Sequence, residues 1–274
     1  MSTISSKTIY VGVIALVIGA VACGPKPMQI KTFPTTHNAA DALENNTVVA
    51  VVGDYPVVAF EARESAGRFE VVGKQFQVDQ IGIGFSKEAP ELKAVLTDAL
   101  RKVMTGTAYT NILLTWALNL GKIDPPPPLT GTGVPAIISV PQLQDLSLKV
   151  GMEVGYAPME FKDEFKREAG VDVELAQAIG RQLGVDVVLV DMPFDALIGA
   201  VETGKVDIIM STMTITAERS QRIDFIPYLA IGSGMLVKRG NPNQIRSVKD
   251  LCGRPVAVQD GAAQISILQS YPCK

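Results

Sequence analysis

The sequence predicts an α/β fold with two lobes of similar plan. Three observations carry that expectation. Hydrophobic periodicity switches repeatedly between two and about 3.6 from Leu148 onward. A helix-turn-strand grammar over Ala39 to Val52 is echoed over Ala200 to Ile209. The 274-residue chain is 47% hydrophobic, enough to fill a core in one or two domains.

Taken in order, residues 1–8 are polar with one cation, Lys7, and Ile9 to Ala22 is a continuous run of apolar or small residues ending at Cys23. A bilayer span takes roughly 20 such residues and a secretory core roughly 7 to 15. Residues 1–22 therefore read as an export signal peptide. Ala20-Val21-Ala22-Cys23 looks like a bacterial lipobox, which would acylate Cys23 and make 23–29 a lipid tether; an ordinary cleaved signal is the alternative. Either way the mature protein is expected outside the cytoplasm, and with the lipid it is anchored to the cell membrane on the periplasmic side or the cell surface. Setting Cys23 aside leaves Cys252 and Cys273, an even remainder in an oxidising compartment. One disulfide is expected, with two unpaired thiols as the alternative.

Ala39 to Leu43 reads as helix, Glu44-Asn45-Asn46 as a turn and Thr47 to Val52 as a buried strand. Glu91 to Met104, apolar at 92, 95, 96, 99, 100 and 103, is an amphipathic helix, and Thr107 to Leu118 a second. The segment 121–147 contains Pro125-Pro126-Pro127-Pro128 and Gly131-Thr132-Gly133 and reads as a linker, semi-rigid first and flexible after, with Val134 to Val140 docking on the surface. Leu148 to Gly151 is a strand, Val171 to Leu183 a helix capped by Gly184, Asp186 to Val190 a strand, Phe194 to Val201 a helix and Val206 to Met210 a buried strand. Alternation of this kind describes a parallel sheet with covered faces.

Composition also excludes. With 25 Lys+Arg against 28 Asp+Glu the net charge is −3, no footprint for nucleic acid. A single His and 3 Cys leave little for zinc sites or Ser-His-Asp triads. The one His, His37, sits in Pro34-Thr35-Thr36-His37-Asn38 and reads as a solvated loop or cap residue. No glycine-rich phosphate loop or dinucleotide fingerprint is present, which disfavours most nucleotide enzymes; with so few His and Cys, no metal or cofactor is expected.

One stretch concentrates polar chemistry: Ser211-Thr212-Met213-Thr214-Ile215-Thr216-Ala217-Glu218-Arg219, directly after a strand. The carboxyl end of a parallel strand opens into the ligand crevice of such sheets. Thr216 reads as an N-cap, and Arg219 is a cation in the first turn, where the helix dipole favours an anion. That placement suggests an anionic ligand group; a capped surface helix with a solvated Arg is the alternative.

As a set, these residues resemble the extracytoplasmic amino-acid solute-binding proteins that serve ABC transporters, the bacterial solute-binding protein family three. Ser211 to Arg219 is similar to that family's strand-end signature, and Arg222-Ile223-Asp224-Phe225 with Tyr228 follows as in its pattern. Tyr156-Ala157-Pro158-Met159-Glu160-Phe161, Gly170-Val171-Asp172-Val173-Glu174-Leu175-Ala176, Phe194-Asp195-Ala196-Leu197-Ile198, Lys238-Arg239-Gly240-Asn241-Pro242 and Val256-Ala257-Val258-Gln259-Asp260-Gly261 resemble its other motifs. Asp54-Tyr55-Pro56-Val57 and Tyr109 to Trp116 resemble segments that the family carries last, yet here they come first. The resemblance therefore implies a two-lobed, periplasmic-binding-protein-like clamp of type II, circularly permuted, its usual ends joined through the Pro-rich linker 121–147; two unrelated fused fragments are the rival reading. One lobe would run over 85–236 and the other combine 30–81 with 239–274, with the hinge near Ile81 to Gly84 and Leu236 to Lys238.

The resemblance also implies a site. Arg219 would clasp a ligand α-carboxylate with the Thr214 hydroxyl, beside the hydroxyl of Thr212, while Ser211 and Asp54 hold the α-ammonium. Tyr156 and Phe194 would cover the side chain, although Phe194 also fits a core stripe and Asp54 a structural cap. Ala262-Ala263 stand where the family often has two hydroxyl residues, which removes side-chain contacts to the carboxylate. Met159 softens one wall. Glu153, Glu160 and Gln80, near the expected side-chain end, favour a polar or basic amino acid. The implied role is capture of an amino acid for a membrane permease of an ABC transporter, without chemistry; alternatives are a dehydratase-like enzyme using Glu153 or Glu160 as proton donor, and a sensor ectodomain acting through a membrane partner.

Overall fold

The computed structural model describes residues 26–129 and 133–273; the expected signal peptide, Cys23 and part of the linker's glycine-containing segment lie outside the described residues. In chain order the elements are β1 (Gln29–Phe33), α1 (Thr36–Glu44), β2 (Ala50–Asp54), α2 (Tyr55–Glu64), β3 (Phe69–Phe85), α3 (Pro90–Thr105) and α4 (Thr107–Thr115). Then follow β4 (Ser147–Met152), β5 (Phe161–Lys162), β6 (Glu168–Ala169), α5 (Val171–Leu183), β7 (Asp186–Asp191), α6 (Leu197–Glu202) and β8 (Ile208–Ile209). The last are α7 (Ala217–Arg222), β9 (Asp224–Lys238), β10 (Pro255–Gln259) and α8 (Gln264–Gln269).

The two longest strands organise the molecule. β3 and β9 pair antiparallel from Phe69↔Lys238 to Phe85↔Asp224. At one end of this ribbon β2 pairs with β9 and is followed by parallel β10 and β1; at the other, β8 pairs with β3 and is followed by parallel β4 and β7. The result is two α/β lobes joined by two strands. Leu92, Leu96 and Leu100 of α3 and Leu175 and Ile179 of α5 cover one lobe's strands around Val150 and Ile208. In the other lobe Val52, Met235, Val237, Val256 and Leu268 share one core, and Leu43, Val51, Leu236 and Ala257 share a second on the opposite face. These cores combine residues from both ends of the chain: Ala50 faces Val256, and Val51 faces Ala257, in a parallel register.

Local physics places the elements that carry the site. Val171, Leu175 and Ile179 form the buried face of α5, which ends at Gly184 in the left-handed region (φ 71°). Gly170 starts it at φ 120°, where a Cβ would lie 2.2 Å from the Met159 carbonyl oxygen. Only glycine fits, and this close approach brings the Met159 carbonyl to the Asp172 amide at 2.9 Å.

Several expectations need correction. His37 is solvated and sits in a capping sequence, as expected, but within a helix rather than a loop: α1 begins at Thr36, capped by the Thr35 side chain, and His37 lies exposed in its first turn. The polar residues before it are the cap and opening turn of that helix. The expected helix from Phe194 opens as a 3-10 turn over Phe194–Ala196, and the expected strand Val206 to Met210 keeps ladder pairing only at Ile208–Ile209. The linker's second half does more than touch the surface, since Val140 and Leu143 are fully buried in the larger core. The crossing between lobes also lies elsewhere than 81–84 and 236–238. Leu236 and Val237 pack inside a lobe core and Leu236 pairs with Val51, whereas the ladder is irregular between Val72 and Gly82. The strands cross from lobe to lobe over about residues 73–80 and, opposite them, 230–234, where bulges let a continuous ribbon bend.

Cys252 and Cys273 are joined by a disulfide. It ties the segment after α8 to the loop before β10, beside Gly253, whose amide donates to the Pro27 carbonyl at 3.2 Å.

Candidate binding cleft

Each lobe offers strand ends and helix starts to the space between them. From one lobe, Asp54 ends β2 and Ala262-Ala263-Gln264 open α8. From the other come Tyr156, Phe194 and the loop after β8 that leads into α7. Asp54, Tyr156, Phe194, Thr212, Thr214, Arg219, Ala262 and Ala263 line one cavity, together with Gln259 and Gln264. Its volume is about 10 Å³, no more than one water needs. The lobes are shut on one another.

Three hydrogen bonds cross between the lobes here. The Tyr156 hydroxyl donates to Asp54 Oδ2 at 2.8 Å, Arg219 Nη2 donates to the Gly261 carbonyl at 2.9 Å, and Gln259 Nε2 donates to Glu153. Arg219 is 8% exposed; Nη1 donates to the Thr214 carbonyl at 2.7 Å and the guanidinium stacks 5.3 Å from the Phe194 ring centre. Thr216 caps α7 by accepting from the Arg219 amide at 3.1 Å, as the sequence suggests. Both acceptors of the guanidinium are neutral carbonyls, so its charge is solvated but not neutralised. Burial holds its pKa below the ordinary range, with Asp54 opposing.

Asp54 is the complementary charge. Burial pushes its carboxyl up to about 6, against the bonds from Tyr156 and from Gln264 Nε2, which donates to Oδ1 at 3.0 Å. Gln264 also donates to Ser233 Oγ at 3.2 Å and so fixes the carboxylate's orientation. A carboxylate held by a phenol and an amide can exchange the phenol for an ammonium. An arginine fork held by carbonyls can exchange one of them for a carboxylate.

Ser211 and Glu153 are placed differently from expectation. Ser211 does not line the cavity: its hydroxyl donates to Glu160 Oε1 at 2.6 Å and accepts from the Glu153 amide at 3.0 Å. Glu153 lies one hydrogen bond behind the wall, through Gln259, whose Oε1 faces the Thr36 hydroxyl at 3.2 Å. Burial pushes Glu153 up to about 7. Arg219 meets Thr214 through the backbone carbonyl rather than the hydroxyl. Gln80 is exposed and contributes only its carbonyl, which accepts from Ile215.

Beneath the loop after β8 lies a buried acid pair that the motif reading did not anticipate as a unit. Asp172 accepts from the Thr212 amide at 2.7 Å, the Thr212 hydroxyl at 3.1 Å and the Tyr228 hydroxyl at 2.7 Å. It thereby holds Thr212 in the left-handed region, φ 48°. Burial first, and Asp172 second, push Glu160 well above the carboxylate range. As a neutral acid Glu160 donates to Asp172, which gives its Oε2 a use that it lacks as an acceptor. Gln259 and Gln264 were also missed as contacts. Gln259 could have been found as the last inward residue at the carboxyl end of a parallel strand; Gln264 carries no such mark.

Fold and site together define a two-lobed α/β clamp with opposite charges facing one cleft from opposite lobes. Residues 148–266 match the model of the bacterial extracellular solute-binding proteins, family 3. A probable histidine-binding protein of Campylobacter jejuni is 36% identical over 119 residues, 43% of this chain and 46% of the relative. An arginine-binding extracellular protein of Bacillus subtilis is 38% identical over 117 residues, 43% of this chain and 45% of the relative. An L-cystine-binding protein of Escherichia coli is 34% identical over 113 residues, 41% and 42% of the two chains. The chain spans a little under half the length of these relatives. Among solved structures, an ancestral cationic amino-acid solute-binding protein is 43% identical over 30% of this chain and 36% of its own, with a TM-score of 0.29. A truncated arginine-bound protein from T. maritima is 46% identical over 28% and 37%, with a TM-score of 0.28.

Proposed function

We propose that this protein is an extracytoplasmic lipoprotein that captures a polar or basic L-amino acid between its lobes and presents it to the membrane permease of an ABC transporter. The observation that carries the reading is the facing of Arg219 and Asp54 across one cleft, each buried and each held by groups that a zwitterion can replace. Glu153, one hydrogen bond behind the cleft wall through Gln259, biases that side of the cleft toward a basic side chain when it is ionised, in keeping with relatives named for histidine and arginine. With about 10 Å³ available in the closed cleft, entry requires the lobes to part about the two crossing strands. A thermal-shift screen of the proteinogenic amino acids tests the reading. At tenfold occupancy over Kd the ligand stabilises by about 1.4 kcal/mol, and a flat response to every amino acid would contradict it.

A dehydratase-like activity on the same fold has one supporting observation, the Glu153 carboxyl pushed to about 7 beside the cleft. Turnover of prephenate or arogenate would favour it over capture.

The chain order is read here as a circular permutation. Its support is that β1 and β2 flank β10 in one sheet and that the family match covers only 148–266. Pro27 and Cys273 both sit against the Cys252–Gly253 corner. A variant joined by a short linker from residue 273 to residue 26 and opened within 125–136 should fold and bind as the original does. A variant that fails to fold would contradict the permutation.

A further inference from the structure

A second cavity, of about 430 Å³, lies at the junction of the lobes, away from the Arg219 cleft. Its size suits a small molecule. The walls come from every part that moves when the lobes part: Tyr55 and Phe60 of α2 from one lobe, Trp116 and Leu118 after α4 from the other, and Ile231 in a crossing strand. Its aromatic side is built in advance. Phe161 stands 6.0 Å from Phe60 and 5.5 Å, edge-on, from Trp116, so one ring of the first lobe bridges the other two. Trp116 is fixed by its indole N–H, which donates to Glu174 Oε1 at 3.0 Å.

The charge of the lining is one-sided. Arg63, held 4.7 Å over the Phe60 ring, is the charged residue among the described lining residues, and none of these is an acid. Its ion pair with Glu64 at 2.9 Å is exposed on both sides and weakly held. Gln75 Oε1 accepts from the Gly232 amide at 3.0 Å, and among the described lining residues there is no carboxylate to hold the ammonium of an amino acid. We infer that this cavity is a second binding site, distinct from the amino-acid cleft, for a flat aromatic monocarboxylate whose ring stacks among Phe60 and Trp116 and whose carboxylate pairs with Arg63. Because both lobes and a crossing strand wall the cavity, an occupant there favours the closed arrangement of the lobes.

The sequence holds a single Trp, and Trp116 lines this cavity, so its emission reports on the site directly. Titration with 3-phenylpropionate should give a saturable change in emission, with the corresponding amide binding about tenfold more weakly for want of a charge to pair with Arg63. The exposed substitution Arg63→Gln should weaken the acid by about tenfold and leave the melting temperature unchanged. Ala59→Phe, which puts a ring into the cavity beside Phe60, should abolish the response. Arg219→Ala should still give a saturable response to the acid, weakened only as far as loss of its interlobe bond to Gly261 opens the lobes, which separates this site from the amino-acid cleft. The inference is overturned by a flat or linear titration, by equal binding of acid and amide, by an unaffected Arg63→Gln variant, or by loss of the signal in Arg219→Ala.

Discussion

Replacing Asp54 with Asn should make the protein more stable at neutral pH. The Asp54 carboxyl has an ordinary value of 3.8 and is pushed to about 6 in the fold, chiefly by burial. A carboxyl whose folded value exceeds its unfolded one keeps its proton more tightly when folded. Below about pH 4 both states are protonated and Asp54 costs nothing; as pH rises to about 6 the unfolded chain ionises first and stability falls; above about 6 the full cost is present. That cost is about 3 kcal/mol. Asn retains an oxygen for one donor, either Tyr156 or Gln264, and the phenol can turn to accept from the new amide. Allowing for imperfect bonds, the expected gain is about 1–3 kcal/mol at neutral pH, shrinking to nothing near pH 4. Urea unfolding of both proteins across that range measures it. Glu153, Glu160 and Asp172 also titrate upward, but they are common to both proteins and largely cancel in the difference. A difference that stays constant with pH, or an Asn variant that is less stable at neutral pH, would refute the reasoning.

Glu153 is pushed to about 7, so affinity for a basic amino acid should rise as pH passes upward through that value, and Glu153→Gln should remove the rise with a loss of roughly ten- to hundredfold; calorimetry against pH checks both, and a pH-independent affinity in the unaltered protein counts against a role for this carboxyl. Restoring hydroxyls with Ala262→Ser and Ala263→Thr, which line the cavity, should tighten binding by roughly tenfold; unchanged calorimetric affinity would mean that hydroxyls at these positions do not reach the carboxylate. Cys273→Ser opens a bridge spanning 21 residues and should cost about 3 kcal/mol in urea unfolding. An unchanged midpoint would show that the bridge adds no stability.

Much of the cleft was legible because its chemistry is local. Arg219 is marked by its place in the first turn of a capped helix after a strand, and Thr216 does cap that helix. The helices Val171 to Leu183 and Glu91 to Met104 show their buried faces in simple periodicity, and α3 and α5 match them within a residue at each end. What failed to show depends on tertiary placement. β9 is almost unbrokenly apolar over 15 residues, so nothing in its pattern marks where it leaves one lobe for the other. The irregularities that mark the crossing lie in its partner β3, whose exposed middle reads as surface. Glu160 and Asp172 are far enough apart in sequence that each reads as an ordinary acid. Only the closed packing of β8, α5 and the Tyr156 loop buries them together and leaves one proton between them. Gln264, a polar residue after two alanines at a helix start, resembles a surface position until Asp54 and Ser233 are seen beside it.

The central claim is that Arg219 and Asp54 hold the two ends of one amino acid across the cleft, and calorimetry of the best ligand from the thermal screen against Arg219→Ala and Asp54→Ala tests it most directly. Removing one partner of a buried charge pair costs roughly 2–5 kcal/mol, a thirtyfold to several-thousandfold loss of affinity by the relation of about 1.4 kcal/mol per decade. The account predicts that both variants fold, with the melting temperature of Arg219→Ala in the absence of ligand near that of the unaltered protein, and that neither gives a measurable heat of binding. Binding by both variants with unaltered affinity would contradict the clamp, and loss of folding in both would show the two residues to be structural.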